Sequence, residues 1–308
     1  MTEQTLERSD LGVTPLIPEE FAARYRQAGY WIDQTIPEFL LDACRAKPHF
    51  PALVALSHAH LQEDGKPQQV RYSYAELEAA GRAAAARIAA AGVQPGDRVL
   101  LQLGNTAEYL IYLMGIFWAG ALPVFCLPQH RTIELTHFAA RTDAAAHVYS
   151  SRPPGTDFTA LHQDVSKQLQ TKGLNPPVGL DAAEPLVPLS DEQLAEPFVP
   201  AVIQNTDSPR ASEQVAFLQL SGGTTGVSKL IPRTHAAYLY SVRGSADICN
   251  LTCNTTMLVA LPAAHNFTMS SPGILGAMCV QAKMVFAADP SPQTAFALIE
   301  NEGVTFTA

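Results

Sequence analysis

Nine residues between two apolar stretches, SGGTTGVSK at positions 221–229, combine three glycines, four hydroxyl side chains and one lysine. Glycines let backbone N–H groups approach a ligand closely, and with hydroxyls and a lysine they form a cradle suited to phosphate groups. The segment is therefore predicted to bind the polyphosphate of a nucleotide. The residues assigned to this site are Ser221, Gly222, Gly223, Thr224, Thr225, Gly226 and Lys229.

Other phosphate or nucleophile motifs fit this segment poorly. A Walker A loop runs directly into a helix, but Lys229 lies three residues after Gly226 and Pro232 follows it, so no helix can begin there. The dinucleotide pattern G-x-G-x-x-G is not matched. Neither Ser221 nor Ser228 has a motif-placed base that would make it a nucleophile. The segment is expected to join two strands, with the next helix beginning near Thr234, and a merely mobile hairpin stays open as an alternative.

A second polar cluster, PAAHNFTMSSPG at 262–273, follows an apolar stretch that is predicted to be a strand. Open α/β sheets bind ligands beyond the carboxyl ends of their strands, so this cluster is a candidate site. The residue types alone also allow a core histidine, a turn asparagine, a core phenylalanine and a helix-capping serine before Pro272. The residues concerned are His265, Asn266, Phe267 and Ser271.

Helices and apolar strands alternate through the first half of the chain, which predicts a parallel sheet. Ser73 and Glu76 form the sequence pattern of a capping box at the start of one helix, and PGDRVLLQL at 95–103 is predicted to be a turn and a buried strand. Asn105 and Glu108 resemble a second capping box.

The uncharged stretch from Leu110 to Pro128 is long enough to raise the question of a membrane span. Its two glycines and Pro123 argue against a single span. A helix that ends near Gly120, followed by a buried strand in LPVFCL, is the preferred interpretation.

The second half of the chain repeats the alternation after a proline-rich stretch. Residues 151–214 are predicted to form an irregular connection between a first α/β lobe within 1–150 and a second lobe within 215–308. VAFLQL, TMLVAL and KMVFAA are predicted strands, and the pairs Ser271-Pro272 and Ser291-Pro292 are predicted helix starts. VTFTA at the end resembles another strand, so we expect a fragment of a longer sheet.

Composition excludes several classes of protein. The chain has 308 residues, is 47% hydrophobic and only 16% charged, and carries a net charge of −9, with no two adjacent Lys or Arg residues. These values predict a globular protein without a nucleic-acid or membrane partner. Cys249 and Cys253 lack a second pair at zinc-like spacing, so buried reduced thiols and no metal site are expected. The N-terminus lacks the pattern of a signal peptide, which predicts a cytoplasmic protein.

The phosphate-loop motif resembles that of the adenylate-forming superfamily. The longer stretches LQLSGGTTGVSKLIPRTH, PAAHNFTMSSPG, AADPS and PEEFAARYRQAGYW resemble the stand-alone aryl-acid-activating enzymes of siderophore biosynthesis, the 2,3-dihydroxybenzoate–AMP ligases. This resemblance extends from about Ile17 to the last residue. It implies an α/β fold of stacked, mostly parallel sheets flanked by helices: the larger N-terminal domain of such an enzyme, incomplete at its C-terminus.

The resemblance also implies a reaction. An aryl acid and ATP, with Mg²⁺, would give aryl-AMP and pyrophosphate, and the acyl group would then pass to the phosphopantetheine thiol of an aryl carrier domain, as in enterobactin-like nonribosomal peptide synthesis. Lys229 and His265 would be catalytic. Asn266, Phe267 and Ser271 would line the aryl pocket, with Ser271 favouring 2,3-dihydroxybenzoate over salicylate.

One expectation and two alternatives accompany this interpretation. The family's later motifs would lie beyond Ala308, so the chain alone is expected not to turn over. An acyl-CoA synthetase of the same superfamily is one alternative. A non-catalytic fragment that binds a nucleotide or a partner is the other.

Overall fold

The computed structural model of the protein describes residues 17–152, 156–201, 210–220 and 229–307. Within these ranges the strands are β1 (Pro51–Leu61), β2 (Pro67–Ser73), β3 (Arg98–Leu101), β4 (Leu122–Phe125), β5 (Ala146–Tyr149), β6 (Val178–Asp181), β7 (Val215–Leu220), β8 (Leu230–Thr234), β9 (Thr256–Val259), β10 (Lys283–Phe286) and β11 (Phe306–Thr307). The helices are α1 (Glu19–Gln27), α2 (Ile36–Ala46), α3 (Tyr74–Ala90), α4 (Ala107–Trp118), α5 (Thr132–Thr142), α6 (Phe158–Thr171), α7 (Asp191–Ala195), α8 (His235–Ile248), α9 (Asn266–Ser270), α10 (Gly273–Cys279) and α11 (Pro292–Glu302).

The strands form two mostly parallel sheets, as the resemblance implied. The first sheet has the order β11-β9-β10-β1-β2, and the second has the order β6-β5-β3-β4-β7-β8. Of the strands just described, only β2 and β8 pair antiparallel with their neighbours, and each lies at a sheet edge. Pro232 is therefore tolerated in β8, because an edge strand has a side on which no ladder hydrogen bond is needed.

Each sheet takes strands from both halves of the chain. The first sheet joins β1 and β2 to β9, β10 and β11, while the second joins β3, β4 and β5 to β7 and β8. Strands from segments 1–150 and 215–308 therefore lie in the same sheets. The lobe boundaries at 150 and 215 stay a prediction from the sequence.

Helices α3 and α4 pack closely against each other, and α4 contacts both β1 of the first sheet and β3 and β4 of the second. All twelve residues of α4 are buried. Glycine is needed where the two helices meet, because a Cβ at Gly81 would lie 2.5 Å from the Trp118 ring and one at Gly115 would lie 2.6 Å from Ala84. The apolar stretch is thus a core helix followed by β4, as predicted, and no helix in the described ranges is long and apolar enough to cross a membrane.

The two capping boxes predicted in the first half have different outcomes. Ser73 and Glu76 form the predicted capping box of α3. The box predicted for Asn105 and Glu108 is wrong, because α4 begins at Ala107 with Thr106 as its N-cap. The side chains of Asn105 and Glu108 instead bind groups far away in the sequence, described below.

The proline-rich segment 151–214 has more regular structure than the sequence suggested. It contains the 14-residue helix α6, the strand β6 and the short helix α7. Asp157 caps α6 by accepting a hydrogen bond from the Ala160 backbone, and four apolar side chains at helical spacing bury one face of that helix. These are Phe158, Leu161, Val165 and Leu169.

In the second half, β7, β9, β10 and the strand near the end of the chain lie where they were predicted. Ser291 caps α11 with Pro292 in its first turn, also as predicted. The five cysteines are free; Cys44 and Cys126 are buried, but Cys249 and Cys253 are only half-buried, contrary to the expectation.

Candidate functional site

His265 lies beyond the carboxyl end of β9, at the N-terminus of the short helix α9. Its Nδ1 atom accepts a hydrogen bond of 3.3 Å from the backbone N–H of Phe267, so the ring caps the helix. In the neutral ring this contact leaves the proton on Nε2, which is then a hydrogen-bond donor. The side chain is exposed, so the interpretation as a core histidine is wrong.

Asn105 holds the loop that carries His265. Its Nδ2 donates to the backbone oxygens of Val259 (3.3 Å) and Leu261 (2.9 Å). Its Oδ1 accepts from the backbone N–H of Ala263 at 2.8 Å, two residues before His265. Asn105 follows β3 of the second sheet, whereas the loop follows β9 of the first. One buried amide thus joins the two sheets at their carboxyl ends.

Asn266 is fixed by a tyrosine from α8. The hydroxyl of Tyr238 donates to Oδ1 of Asn266 at 3.1 Å, although Asn266 itself is exposed. Burial raises the pKa of Tyr238 to about 12, so the hydroxyl keeps its proton and acts as a donor at neutral pH. The Tyr238 hydroxyl therefore fixes the orientation of the Asn266 side chain.

The same tyrosine connects the site to the strand that precedes the phosphate-loop motif. The Tyr238 ring packs edge-on against Phe217 of β7 at 4.6 Å between centroids, and Phe217 packs against Phe125 of β4 at 5.1 Å. The Arg233 guanidinium lies over the Tyr238 ring at 5.3 Å. These ring contacts pack α8, β7 and β4 against one another, and the packed elements support the residues of α9.

Phe267 and Ser271, with Asn266, are the three residues predicted to line the aryl pocket. The Phe267 side chain is 42% exposed, which argues against a core role. Ser271 is half-buried and is the C-cap of α9.

The prediction that Ser271 caps the following helix is wrong. α10 begins at Gly273, with Pro272 at the N-cap position and no side-chain cap. The reason is a tight turn: Gly273 has φ +50°, and a Cβ there would lie 2.0 Å from the Thr268 carbonyl oxygen. α9 therefore ends at Ser270, and the hydroxyl of Ser271 does not cap α10.

The phosphate-loop residues Ser221, Gly222, Gly223, Thr224, Thr225 and Gly226 lie outside the described residues. The two strands that flank them are described: β7 and β8 pair antiparallel, with Leu220 opposite Leu230. Lys229 directly precedes β8 and is exposed. α8 begins at His235, as expected for a segment that joins two strands before the next helix.

Two supporting residues were missed from the sequence. Asn105 was assigned to a helix cap because its spacing to Glu108 matched that pattern, and its true partners lie more than 150 residues away. No sequence pattern marked Tyr238 as a support of the site; it was only expected to lie in the helix after Thr234. Its contacts with Asn266 and Phe217 depend on tertiary packing.

The chain matches known proteins along most of its length. The AMP-binding enzyme family matches residues 40–308. The chain is 39% identical to a 2,3-dihydroxybenzoate-AMP ligase of Bacillus subtilis, over 96% of this chain and 51% of that protein. It is 40% identical to the salicyl-AMP ligase / salicyl-S-ArCP synthetase of Mycobacterium tuberculosis, over 94% of this chain and 49% of that protein.

A solved structure shares the fold. The apo structure of MbtA from Mycobacterium smegmatis superposes with a TM-score of 0.74 at 40% identity, covering 96% of this chain and 51% of that one. The chain thus belongs to the AMP-binding enzyme family, and it spans about half the length of the curated relatives it matches.

Proposed function

We propose that the protein activates an aryl carboxylic acid, with 2,3-dihydroxybenzoate favoured, by reaction with ATP to give aryl-AMP and pyrophosphate. The acyl group then passes to the phosphopantetheine thiol of an aryl carrier domain in siderophore biosynthesis, in the cytoplasm. The observation that carries the proposal is the placement of four residues around one short helix beyond β9, supported by the strand that leads into the phosphate-loop motif. These are His265, Asn266, Phe267 and Ser271.

The first step needs alignment more than proton transfer. An ionised carboxylate oxygen forms a bond to the α-phosphorus of ATP, the bond from that phosphorus to the bridging oxygen breaks, and pyrophosphate leaves with the electron pair. The carboxylate is already a nucleophile at neutral pH, so the protein gains rate by holding the two reactants in line. Asn266 and Phe267 would hold the ring, and the rigid loop tied to Asn105 would keep His265 at the reacting end.

Charge on the leaving pyrophosphate is offset by donors from the phosphate-loop motif. Hydroxyls and amides of residues 221–226 would bind the β- and γ-phosphates, and Lys229 would add positive charge as pyrophosphate departs. The Nε2–H of His265 is suited to donate to an oxygen at the junction between the acyl group and the phosphate.

These donor types fit a nucleotide polyphosphate, since they offer neutral N–H and O–H groups and a lysine rather than carboxylates. Mg²⁺ would accompany the phosphates and neutralise part of their charge. Within the described ranges no group of three or more His, Cys, Asp or Glu residues is placed to hold a metal ion, so we assign no protein ligand to it.

The relatives are about twice as long as the part that matches this chain. We therefore propose that turnover requires the region corresponding to their other half, and that the 308-residue chain alone is inactive. In that case the chain supplies the phosphate loop and the aryl pocket of a larger enzyme.

The test is acid-dependent exchange of labelled pyrophosphate into ATP. We expect exchange with 2,3-dihydroxybenzoate in the full product of the gene and none with residues 1–308 alone. Acyl transfer is then measured to a phosphopantetheinylated carrier domain and to free CoA. Exchange with no aryl acid would refute the proposed reaction, acylation of CoA in place of the carrier would refute the proposed acceptor, and exchange by residues 1–308 would refute the inactivity of the chain.

A further inference from the structure

A cavity of about 280 Å³ lies beside α3 and α4, lined by residues outside the site described above. Its walls are mainly apolar, with three alanines of α3 on one side and three leucines between 186 and 194 on another. Such a volume is near the lower end of the range for small-molecule sites. The cavity exists because the α3 side chains that line it are small. They are Ala79, Ala80 and Ala83.

Two polar side chains of α4 line this cavity. Glu108 and Tyr112 are four residues apart in the helix, so they lie on the same face. They are only 5% and 1% exposed. Oε2 of Glu108 and the hydroxyl of Tyr112 have no hydrogen-bond partner among the described residues. Buried polar groups usually have a partner, so the Glu108 oxygen points to a ligand that offers a hydrogen-bond donor, and the Tyr112 hydroxyl can accept from or donate to the same ligand.

The other oxygen of Glu108 is fixed in place. Oε1 accepts a hydrogen bond of 2.5 Å from the Ser57 hydroxyl and one of 3.1 Å from the Ala59 backbone N–H. Both donors come from β1, and they orient the carboxylate. This arrangement leaves Oε2 as the carboxylate oxygen of Glu108 without a partner among the described residues.

The charge of the lining favours a cation. Among the residues that the structure describes, no lysine or arginine lines the cavity. Its second carboxylate, that of Glu184, already pairs with Arg87 at 2.5 Å. Within the described part of the chain Glu108 therefore has no cationic partner, and an anionic ligand would meet an uncompensated carboxylate. A purely apolar ligand would leave both buried polar groups unpaired.

We propose that this cavity binds a small primary amine with an apolar body, its ammonium group between Glu108 and Tyr112. The ammonium has three donors, enough to reach Oε2 of Glu108 and the Tyr112 oxygen at once. The apolar body contacts the alanines of α3 and the leucines opposite. This inference does not depend on the proposed enzymatic activity.

The probe is 2-phenylethylamine, with 2-phenylethanol as a neutral ligand of the same shape, both titrated into the purified protein at pH 7 by calorimetry. We expect the amine to bind at least about tenfold more tightly than the alcohol. Glu108→Gln should remove that preference, because the amide can still accept from Ser57 and Ala59 but offers no negative charge. Thermal unfolding of each variant checks that it is folded.

A second pair of variants tests the location without touching Glu108. Ala79→Leu fills the cavity and should abolish binding of the amine, whereas Ala86→Leu, on the exposed face of the same helix, should leave binding unchanged. The proposal is overturned if the wild-type protein does not bind the amine or binds amine and alcohol equally. It is also overturned if the Ala79→Leu protein binds the amine as tightly as wild type.

Discussion

Ser271 is half-buried at the end of α9, and its hydroxyl does not cap α10. A serine hydroxyl can bind the ring 3-hydroxyl of 2,3-dihydroxybenzoate, whereas a thiol is larger and hydrogen-bonds weakly. We therefore predict that the complete enzyme prefers 2,3-dihydroxybenzoate to salicylate. Ser271→Cys should reduce the ratio of kcat/KM for 2,3-dihydroxybenzoate to kcat/KM for salicylate by about 5- to 150-fold. This range corresponds to the cost of leaving one buried hydroxyl without a hydrogen-bond partner.

The control for this substitution is Ser241→Cys, at an exposed serine of α8. That variant should keep the wild-type ratio. An unchanged ratio in Ser271→Cys would remove Ser271 from the aryl pocket, and a wild-type preference for salicylate would overturn the choice of substrate.

Lys229 is the last residue of the phosphate-loop motif and is exposed next to β8. A point charge at that place should act on the departing pyrophosphate and not on the aryl ring. We predict that Lys229→Ala slows single-turnover adenylation by about tenfold or more while the dissociation constant of the aryl acid changes little. Lys229→Arg, which keeps the charge, should recover part of the rate. Loss of acid binding with an unchanged adenylation rate would contradict the assigned role.

At the scale of elements, the loop between β9 and α9 depends on a residue of the other sheet. Asn105→Ala removes three hydrogen bonds from this loop, so His265 and Asn266 should lose their fixed position. We predict a fall in kcat/KM for the aryl acid of up to about 100-fold, because small misplacements of reacting groups are costly. Stability should fall by about 1–3 kcal/mol.

Activity and stability together separate positioning from general destabilisation. Asn105→Asp keeps the acceptor for the Ala263 N–H but places a buried carboxylate oxygen against the carbonyl oxygens of Val259 and Leu261, so its kcat/KM should fall at least as far as that of Asn105→Ala. Asn254→Ala, at an exposed asparagine before β9, should behave as wild type. A normal kcat/KM in a destabilised Asn105→Ala protein would show that the residue does not position the site.

The elements that the sequence predicted well are those whose signals are local. The capping box of α3 and the Ser-Pro start of α11 depend on neighbouring residues only, and β9 is a short apolar stretch with clear ends. α6 was missed because the prolines around it outweighed a regular apolar face. The start of α10 was misplaced because it depends on the contact of Gly273 with the Thr268 carbonyl.

At the scale of the whole molecule, the sequence predicted the class of fold but not how the sheets interleave. Alternating helices and strands indicate parallel sheets wherever they occur, and this part was confirmed. Which strands pair is decided by contacts between distant segments, such as β1 with β10 and β4 with β7. The supports of the candidate site, Asn105 and Tyr238, depend on those pairings and so could not be identified from local patterns.

Buried histidines are another consequence of long-range packing. His235 of α8 accepts a hydrogen bond of 3.0 Å at Nδ1 from the backbone N–H of Ile36, at the start of α2. Burial lowers its pKa to about 3, and burial together with the charge of His162 lowers the pKa of His147 to about 3. Both rings are therefore neutral in the folded protein at pH values where they would be protonated in the unfolded chain.

A histidine whose pKa is lowered by folding contributes stability above its unfolded pKa, and this stability is lost as the pH falls. We predict that the free energy of unfolding decreases from about pH 6.5 downward, by up to about 1.4 kcal/mol per pH unit for each such histidine. Chemical unfolding between pH 6.5 and 5 avoids most carboxylate titration. His235→Asn can still accept from Ile36 but does not titrate, so its stability should fall less steeply with pH than that of wild type. His49→Asn, at an exposed position, should follow the wild-type slope. Equal slopes for His235→Asn and the wild type would mean that the buried ring of His235 does not govern acid stability.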